Sequence, residues 1–228
     1  MVSDSNQNAD RYTRQQSIVP AERLAEVHAT VVGVGALGRS VALQLAAIGV
    51  PKLQLIDHDI VEPVNLATQG YNEQDLGRHK VHATAEACHA LNSRIELTTH
   101  ERRFRRSDEV GNVLICCVDS IDTRRFIWNA VKDRVRFFAD GRMTAEVLRV
   151  LVVNDAAGRE YYPTTLFASN QAYRGACTAR STIFTATIAA GWIVSQLTRW
   201  LRELPTDGDL TLNLLASEFT VNVVSASS

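Results

Sequence analysis

The sequence predicts an α/β fold, a doubly wound and mostly parallel sheet that a C-terminal helix and strands complete. Between residues 29 and 140, short apolar runs alternate with helical stretches, which is the pattern of βαβ units in a parallel sheet. The segment Gly33-Val-Gly35-Ala-Leu-Gly38 follows the first apolar run and opens the first helix. A glycine-rich turn at that place is typical of a Rossmann-like fold.

Local patterns predict each element of this core in turn. Apolar runs indicate strands at 29–34, 53–57, 95–99, 113–118 and 136–139, and helical patterns indicate helices at 37–49, 77–92 and 121–131. Residues 11–28 are expected to form a short helical arm. Pro63 and Asn65 are expected to lie in a loop after the second strand.

The C-terminal part changes character. Its pattern predicts, in order, a strand at 146–154, a turn at 155–158, a long helix at 181–204, a turn at 205–209 and strands at 210–215 and 219–224. The long helix has no charge between Arg180 and Arg199, but its serines, threonines and glutamine favour a buried helix over a membrane span. We expect an N-terminal arm, 1–28, and one domain, 29–228, with a nucleotide-binding core at 29–140 and an extension at 141–228.

Composition and charge narrow the function. The 228 residues are 46% hydrophobic and 21% charged, with a formal net charge of −1, so neither nucleic acid nor a membrane surface is an expected partner. The four cysteines form no CxxC pair, and no zinc site is expected. Without a leader pattern at the N-terminus, the cytoplasm is the expected location.

The glycine loop and the acids beyond it predict a nucleotide site. The three glycines permit a tight turn, close approach of a phosphate, and close packing of helix on strand. Asp57 ends the second strand, 19 positions after Gly38, where an acid accepts hydrogen bonds from ribose hydroxyls. This position suits NAD and ATP equally.

Residues after Asp57 favour ATP. Asp59, Asn65, Lys80 and Asp119 follow strand ends that face one crevice of a doubly wound sheet. A lysine and a carboxylate in that crevice suit a triphosphate with Mg²⁺ better than a nicotinamide.

Together these motifs resemble the ThiF/MoeB/HesA superfamily, the bacterial relatives of ubiquitin-activating enzymes. The resemblance runs from residue 11 to about the end of helix 181–204. It rests on Arg11-Tyr12-x-Arg14-Gln15, the glycine loop, Asp57-x-Asp59-x-Val61-x-x-x-Asn65-Leu66-x-x-Gln69, Gly77-x-x-Lys80, and Asp119 followed by Arg124 and Asn129.

The resemblance implies roles for these residues. Asp57 binds the ribose, Asn65 and Lys80 contact phosphates, and Asp119 holds Mg²⁺. The nucleotide-binding set also includes Asp59, Gln69 and the three loop glycines. Arg14 reaches the ATP of a neighbouring subunit, which implies a homodimer with composite sites. The implied reaction is adenylation of the C-terminal carboxylate of a ubiquitin-like or sulfur-carrier-like protein.

The chain departs from the family pattern at one cation. Thr68 stands where the family carries the arginine of N-L-x-R-Q. One interpretation is a weakened or inactive nucleotide-binding subunit of a dimer. The other, which we favour, is an active enzyme in which Arg142, Arg39 or Arg78 compensates, because losing one of several cationic contacts weakens stabilisation rather than abolishing it.

Cys177 is the candidate acyl acceptor. It lies in a polar segment before a helix and near Arg180, and its Cys-Thr-x-Arg context resembles the active cysteine of eukaryotic activating enzymes. Thioester formation and a buried structural role are both open. The other three cysteines, Cys88, Cys116 and Cys117, are expected in the core.

Other functions also fit parts of the sequence. Adenylation of a small-molecule, peptide or tRNA-linked carboxylate uses the same motifs. A nucleotide-binding dimer subunit without catalysis rests on Thr68 alone. An NAD-dependent oxidoreductase rests on the glycine loop alone.

Overall fold

The computed structural model describes residues 11–167 and 182–224 and has the predicted α/β class. Eight strands are interspersed with helices along these described residues. The strands are β1 His28–Val32, β2 Lys52–Ile56, β3 Glu96–His100, β4 Val113–Cys116, β5 Phe137–Thr144, β6 Val147–Val153, β7 Asp209–Asn213 and β8 Glu218–Asn222.

One sheet contains all eight strands, in the order β3-β2-β1-β4-β5-β6-β7-β8. The first five strands in that order pair in parallel, and β5 through β8 pair antiparallel. The strand order therefore reverses direction between β1 and β4. As predicted, the C-terminal strands complete the same sheet.

Helices cover both faces of the sheet. They are α1 Ala21–Leu24, α2 Ala36–Ile48, α3 Pro63–Gln69, α4 Lys80–Leu91, α5 Ile121–Val131, α6 Ala156–Tyr161 and α7 Ile183–Leu201, with short 3-10 turns at Thr13–Gln15, Glu73–Asp75 and Tyr162–Thr165. In the described residues, no helix combines the length and the apolar content that a membrane span needs.

Alternating strand residues divide the core into two layers, because successive strand side chains point to opposite faces. One layer packs α2, α4 and α7 against residues such as Val31, Leu55 and Ile115. The other packs α5 and the 3-10 turn at Tyr162 against Val32 and Leu114. Both faces of the central strands are thus buried, as in doubly wound folds.

Two segments predicted to be irregular are helical. Pro63 and Asn65 lie in α3, which begins with proline at its first turn and a capping box between Glu62 and Asn65. The predicted turn 155–158 opens α6, and the Asp155 side chain accepts a hydrogen bond from the Gly158 N–H at 2.7 Å. Both errors have the same cause, since turn-forming residues also begin helices.

Candidate active site

The carboxyl ends of β1, β2 and β4 meet where the strand order reverses, the usual ligand crevice of such sheets. Val32 of β1 lies level with Ile56 of β2 and with Cys116 of β4. The glycine loop, Asp57 and Asp119 follow these strand ends, so the fold brings the three predicted segments to one edge.

Two of the loop glycines are required by the chain's own packing. Gly33 has φ of +87°, and a Cβ there would lie 2.8 Å from the Cys117 carbonyl oxygen. A Cβ at Gly38 would lie 1.8 Å from the Gly33 carbonyl oxygen. These glycines let β1, the loop and α2 pack closely.

Unlike Gly33 and Gly38, Gly35 is not closely approached by backbone atoms of the described residues. A Cβ at Gly35 would meet only the Gln69 side chain, at the ordinary contact distance of 3.8 Å from Oε1. That same Oε1 is buried and lacks a hydrogen-bond partner among the described residues. Because buried polar atoms are normally paired, a buried amide oxygen without a donor among the described residues, beside an open glycine at a helix N-terminus, fits a nucleotide site.

Asp57, directly after β2, holds the glycine loop through a hydrogen bond. Its Oδ2 accepts a 2.5 Å hydrogen bond from the Val34 N–H, and its Oδ1 accepts one from the Asp59 N–H at 2.9 Å. A carboxylate has about four acceptor positions, so Asp57 keeps capacity for ribose hydroxyls. The loop is therefore tied to β2 without a bound nucleotide.

Lys80 is a buried cation next to this loop. Its side chain is 7% exposed, and its Nζ lies 3.2 Å from Oδ2 of the half-exposed Asp59. The Lys80 N–H also donates to the Asp59 carbonyl at 3.0 Å. Ligand atoms of Asp57, His58 and Asp59 lie within 4.8 Å of one another, but the two carboxylates are already engaged by the loop and by Lys80.

Helix α3 supplies the predicted amide and lacks the family arginine. Asn65 is buried, and its Oδ1 accepts from the Glu62 N–H at 2.9 Å, so its NH₂ group is the part that can donate to a phosphate. The Thr68 hydroxyl donates to the Val64 carbonyl, one turn earlier in the helix, at 2.9 Å. Position 68 therefore offers a hydroxyl engaged within its own helix instead of a cation.

The three arginines considered as replacements each have partners of their own. Arg142 lies within β5, not after a strand, and its Nε bonds Asp140 at 2.8 Å. Arg78 pairs with Asp75 and Glu86, both through its guanidinium. Arg39 is buried and bonds the Gly70 carbonyl and the Thr84 hydroxyl.

Asp119 is exposed at the end of the β4 segment, and its main chain is anchored. The carbonyl of Asp119 accepts a 3.0 Å hydrogen bond from Arg124, whose Nε bonds Asp140 Oδ1 at 2.8 Å. Asp140 is fully buried and also accepts from Arg142 and from the Tyr162 hydroxyl at 2.9 Å. Sequence reasoning missed this acid, although a lone carboxylate inside an apolar strand indicates a buried ion pair.

Arg14 does not lie at the crevice of its own chain. Arg14 is exposed in the 3-10 turn Thr13–Gln15, and Gln15 donates to the Ile48 carbonyl at the C-terminal end of α2. The glycine loop is at the other end of that 13-residue helix, about 20 Å away at 1.5 Å per residue. Cys177 lies outside the described residues.

The remaining cysteines are poor nucleophiles. Burial raises the pKa of Cys88 and Cys116 to about 12. Burial also raises the pKa of Cys117, which neighbours Cys116. Their thiols stay protonated near neutral pH, which agrees with the structural role predicted for them.

Comparison with known proteins identifies the family. The sequence model of the ThiF family matches residues 11–224. MOCS3 of Mus musculus, an adenylyltransferase and sulfurtransferase, is 37% identical over 114 residues, which cover 47% of this chain and 25% of MOCS3. MoeZ of Mycobacterium tuberculosis, a probable adenylyltransferase/sulfurtransferase, is 33% identical over 138 residues, 55% of this chain and 35% of MoeZ. These matches thus span about a quarter to a third of the relatives' length.

Solved structures share the fold over nearly the whole chain. PaaA has a TM-score of 0.77 at 21% identity and covers 98% of this chain and 76% of its own. The structure of Escherichia coli MccB with ATP has a TM-score of 0.75 at 14% identity, covering 96% and 73%.

Proposed function

Because the chain belongs to the ThiF family, we propose that it is an ATP-dependent adenylyltransferase that activates the C-terminal carboxylate of a ubiquitin-like or sulfur-carrier-like protein. One observation carries the proposal. The glycine loop, Asp57 and Asp119 follow the strand ends at the strand-order reversal, and Lys80 pairs with the neighbouring Asp59. A Cβ at Gly35 would have no close contact, and the buried Gln69 Oε1 beside it lacks a hydrogen-bond partner among the described residues. The names of MOCS3 and MoeZ, both described as adenylyltransferases, support the adenylyl-transfer part of this proposal.

Each side chain has a task in this reaction. Asp57 receives the ribose hydroxyls, while the loop amides, the Asn65 NH₂ group and Lys80 hold the phosphates. The partner's carboxylate attacks the α-phosphorus, the bond to the β-phosphate breaks, and acyl-adenylate and pyrophosphate result. Catalysis consists mainly of positioning the two reactants and neutralising charge. Mg²⁺ held by Asp119 would supply further neutralisation of the phosphates.

Pyrophosphate exchange into ATP tests the proposal. The probe is a small ubiquitin-like protein with a C-terminal Gly-Gly, incubated with this protein, ATP, Mg²⁺ and labelled pyrophosphate. We expect partner-dependent exchange in the wild type and a loss of at least about a hundredfold in Asp119→Ala, the usual size for removing one transition-state contact.

Asp133→Ala is the matched control, since this exposed acid lies beyond the opposite end of α5 and should leave exchange unchanged. Exchange at the wild-type rate in Asp119→Ala would refute its role in the site. Stabilisation by ATP without exchange would favour a nucleotide-binding subunit instead.

Arg14 supports a composite site in a homodimer. Its distance from the glycine loop of its own chain prevents it from contacting that chain's phosphates. A second subunit related by a two-fold axis can present Arg14 to the first subunit's ATP. We therefore propose that Arg14 acts in trans.

Cys177 is proposed to accept the acyl group after adenylation. Its thiolate attacks the acyl carbon, AMP leaves, and a thioester remains. Cys177→Ser should keep pyrophosphate exchange and lose the adduct that a reducing agent cleaves on a gel. A persisting thiol-sensitive adduct would assign the acceptor elsewhere.

A second candidate is adenylation of a carboxylate that does not belong to a ubiquitin-like protein. The solved structures of MccB, a Microcin C7 biosynthetic enzyme, include complexes with MccA, and they cover this chain far more fully than the curated relatives do. Exchange that proceeds with short peptides but not with Gly-Gly proteins would favour this candidate.

A further inference from the structure

The buried side chain of Tyr71 connects three segments of the proposed nucleotide site, namely the glycine loop, the end of α3 and the start of α4. It follows α3, is 4% exposed, and its hydroxyl donates to the Val34 carbonyl at 2.6 Å. The same hydroxyl lies 3.5 Å from the Lys80 carbonyl and 3.1 Å from the Thr84 hydroxyl. One side chain thus contacts the glycine loop and the first turns of α4.

Val34 is held on both sides as a result. Asp57 accepts from its N–H and Tyr71 donates to its carbonyl. Val34 lies between Gly33 and Gly35, where a backbone without these partners has wide conformational freedom. Two side-chain hydrogen bonds to one residue therefore define the loop's shape before a nucleotide arrives.

The guanidinium of Arg39 packs over the ring of Tyr71. Its Cζ lies 4.2 Å from the centre of the Tyr71 ring, which is cation–π distance. Its Nε donates to the Gly70 carbonyl at 3.1 Å, at the end of α3, and its NH1 to the Thr84 hydroxyl at 3.2 Å. Arg39 thus connects α2 with α3 and α4.

We propose that Tyr71, packed against Arg39, is a positioning residue that holds the glycine loop and the Lys80 end of α4 in the geometry that binds the phosphates. This inference rests on the proposed function. The segments it joins carry Gly35, Asn65 with Gln69, and Lys80, all assigned to the nucleotide. Burial raises the pKa of Tyr71 above its ordinary value, so the hydroxyl remains a donor at physiological pH.

Tyr71→Phe removes only the hydroxyl and tests the proposal. We expect the Kd for ATP–Mg²⁺, measured by titration calorimetry, to rise about tenfold, the effect of losing one buried hydrogen bond. The Kd for adenosine, measured by competition, should change less than about twofold, because adenosine lacks the phosphates. If Tyr71 had a merely structural role, its loss would weaken the binding of ATP and of adenosine alike.

Tyr161→Phe is the matched control. It also removes one hydroxyl that donates to a buried acceptor, Asp209, at 2.7 Å, but outside the crevice, and it should leave both affinities unchanged. If Tyr71→Phe does not fold, Thr84→Val removes the hydroxyl that both Tyr71 and Arg39 contact, and we expect a smaller selective loss of ATP affinity.

The outcomes are distinguishable. Selective loss of ATP affinity in Tyr71→Phe, or in Thr84→Val, supports the inference. Unchanged ATP affinity, or equal loss for ATP and adenosine, overturns it and leaves the proposed function standing. A wild-type protein that does not bind ATP overturns both.

Discussion

Each glycine of the nucleotide loop has a different neighbour and therefore a different tolerance to a side chain. Gly33 and Gly38 approach backbone atoms of Cys117 and of the loop itself, whereas Gly35 approaches only the Gln69 side chain. Close contacts within the chain therefore explain why positions 33 and 38 need glycine. A Cβ at Gly35 would meet no close atom among the described residues, which supports the proposed approach of a phosphate at this position.

Paired alanine substitutions separate these two causes. Gly35→Ala should stay folded, within about 1 kcal/mol of the wild type for a helix N-cap change, while its ATP affinity falls at least about tenfold because the new methyl occupies the phosphate approach. Gly38→Ala should unfold at markedly lower temperature, since its Cβ would lie 1.8 Å from the Gly33 carbonyl oxygen. Thermal melts with and without ATP measure both effects. Wild-type ATP affinity in Gly35→Ala would contradict the placement of the phosphates.

At the scale of secondary structure, one buried carboxylate joins the C-terminal strands to the rest of the sheet. Asp209 of β7 is fully buried and bonds Arg149 of β6 through both oxygens at 2.8 Å. It also accepts from Tyr161 of α6 and from Asn222 of β8. The carboxylate of Asp209 on β7 thus bonds side chains from β6, α6 and β8.

Removing that charge should destabilise these elements at neutral pH. Asp209→Asn leaves Arg149 without its carboxylate, and breaking such a pair costs about 3 kcal/mol or more. Urea unfolding measures the loss, and Asp133→Asn, an exposed change, is the control. A difference of less than about 0.5 kcal/mol between the two variants would contradict this role for Asp209.

The same acid predicts a pH dependence. Burial tends to raise the pKa of Asp209, but hydrogen bonds from Arg149, Tyr161 and Asn222 bring it below its ordinary value. Because the folded pKa is depressed, the stabilisation is complete above the unfolded value of about 3.9 and is lost as pH falls through the folded pKa. The free energy of unfolding should therefore fall less steeply with decreasing pH in Asp209→Asn than in the wild type.

At the scale of the whole molecule, the separation of Arg14 from its own glycine loop decides where it can act. Gln15 anchors the Arg14 turn to Ile48 at the C-terminal end of α2, and α2 begins at the loop. A rigid helix of this length keeps the two apart within one chain. The proposed role of Arg14 at a nucleotide therefore requires the site of another subunit.

Mixing two inactive variants tests this arrangement. Arg14→Ala and Asp119→Ala should each be nearly inactive in pyrophosphate exchange, but a mixture allowed to exchange subunits should recover about a quarter of wild-type activity. Half of the dimers are then mixed, and each mixed dimer has one intact site. No recovery, in a mixture shown to contain mixed dimers, would place both residues in the same chain's site.

The sequence by itself determined the alternation of strands and helices, the glycine loop and the acids at the strand ends. These are local properties, since hydrophobic period and glycine spacing are set by neighbouring residues. The same local reasoning failed at α3 and α6, where Pro63 and Asp155 begin helices instead of turns.

Only the tertiary structure decided which side chains pair. Arg142, which sequence reasoning considered as a replacement cation, bonds Asp140, while Tyr71 and Asp57 hold Val34 from opposite sides. Tyr71 is 37 positions from Val34, and Asp57 is 23 away. Contacts of this kind depend on how packed elements place distant residues, and no local pattern in a single sequence records them.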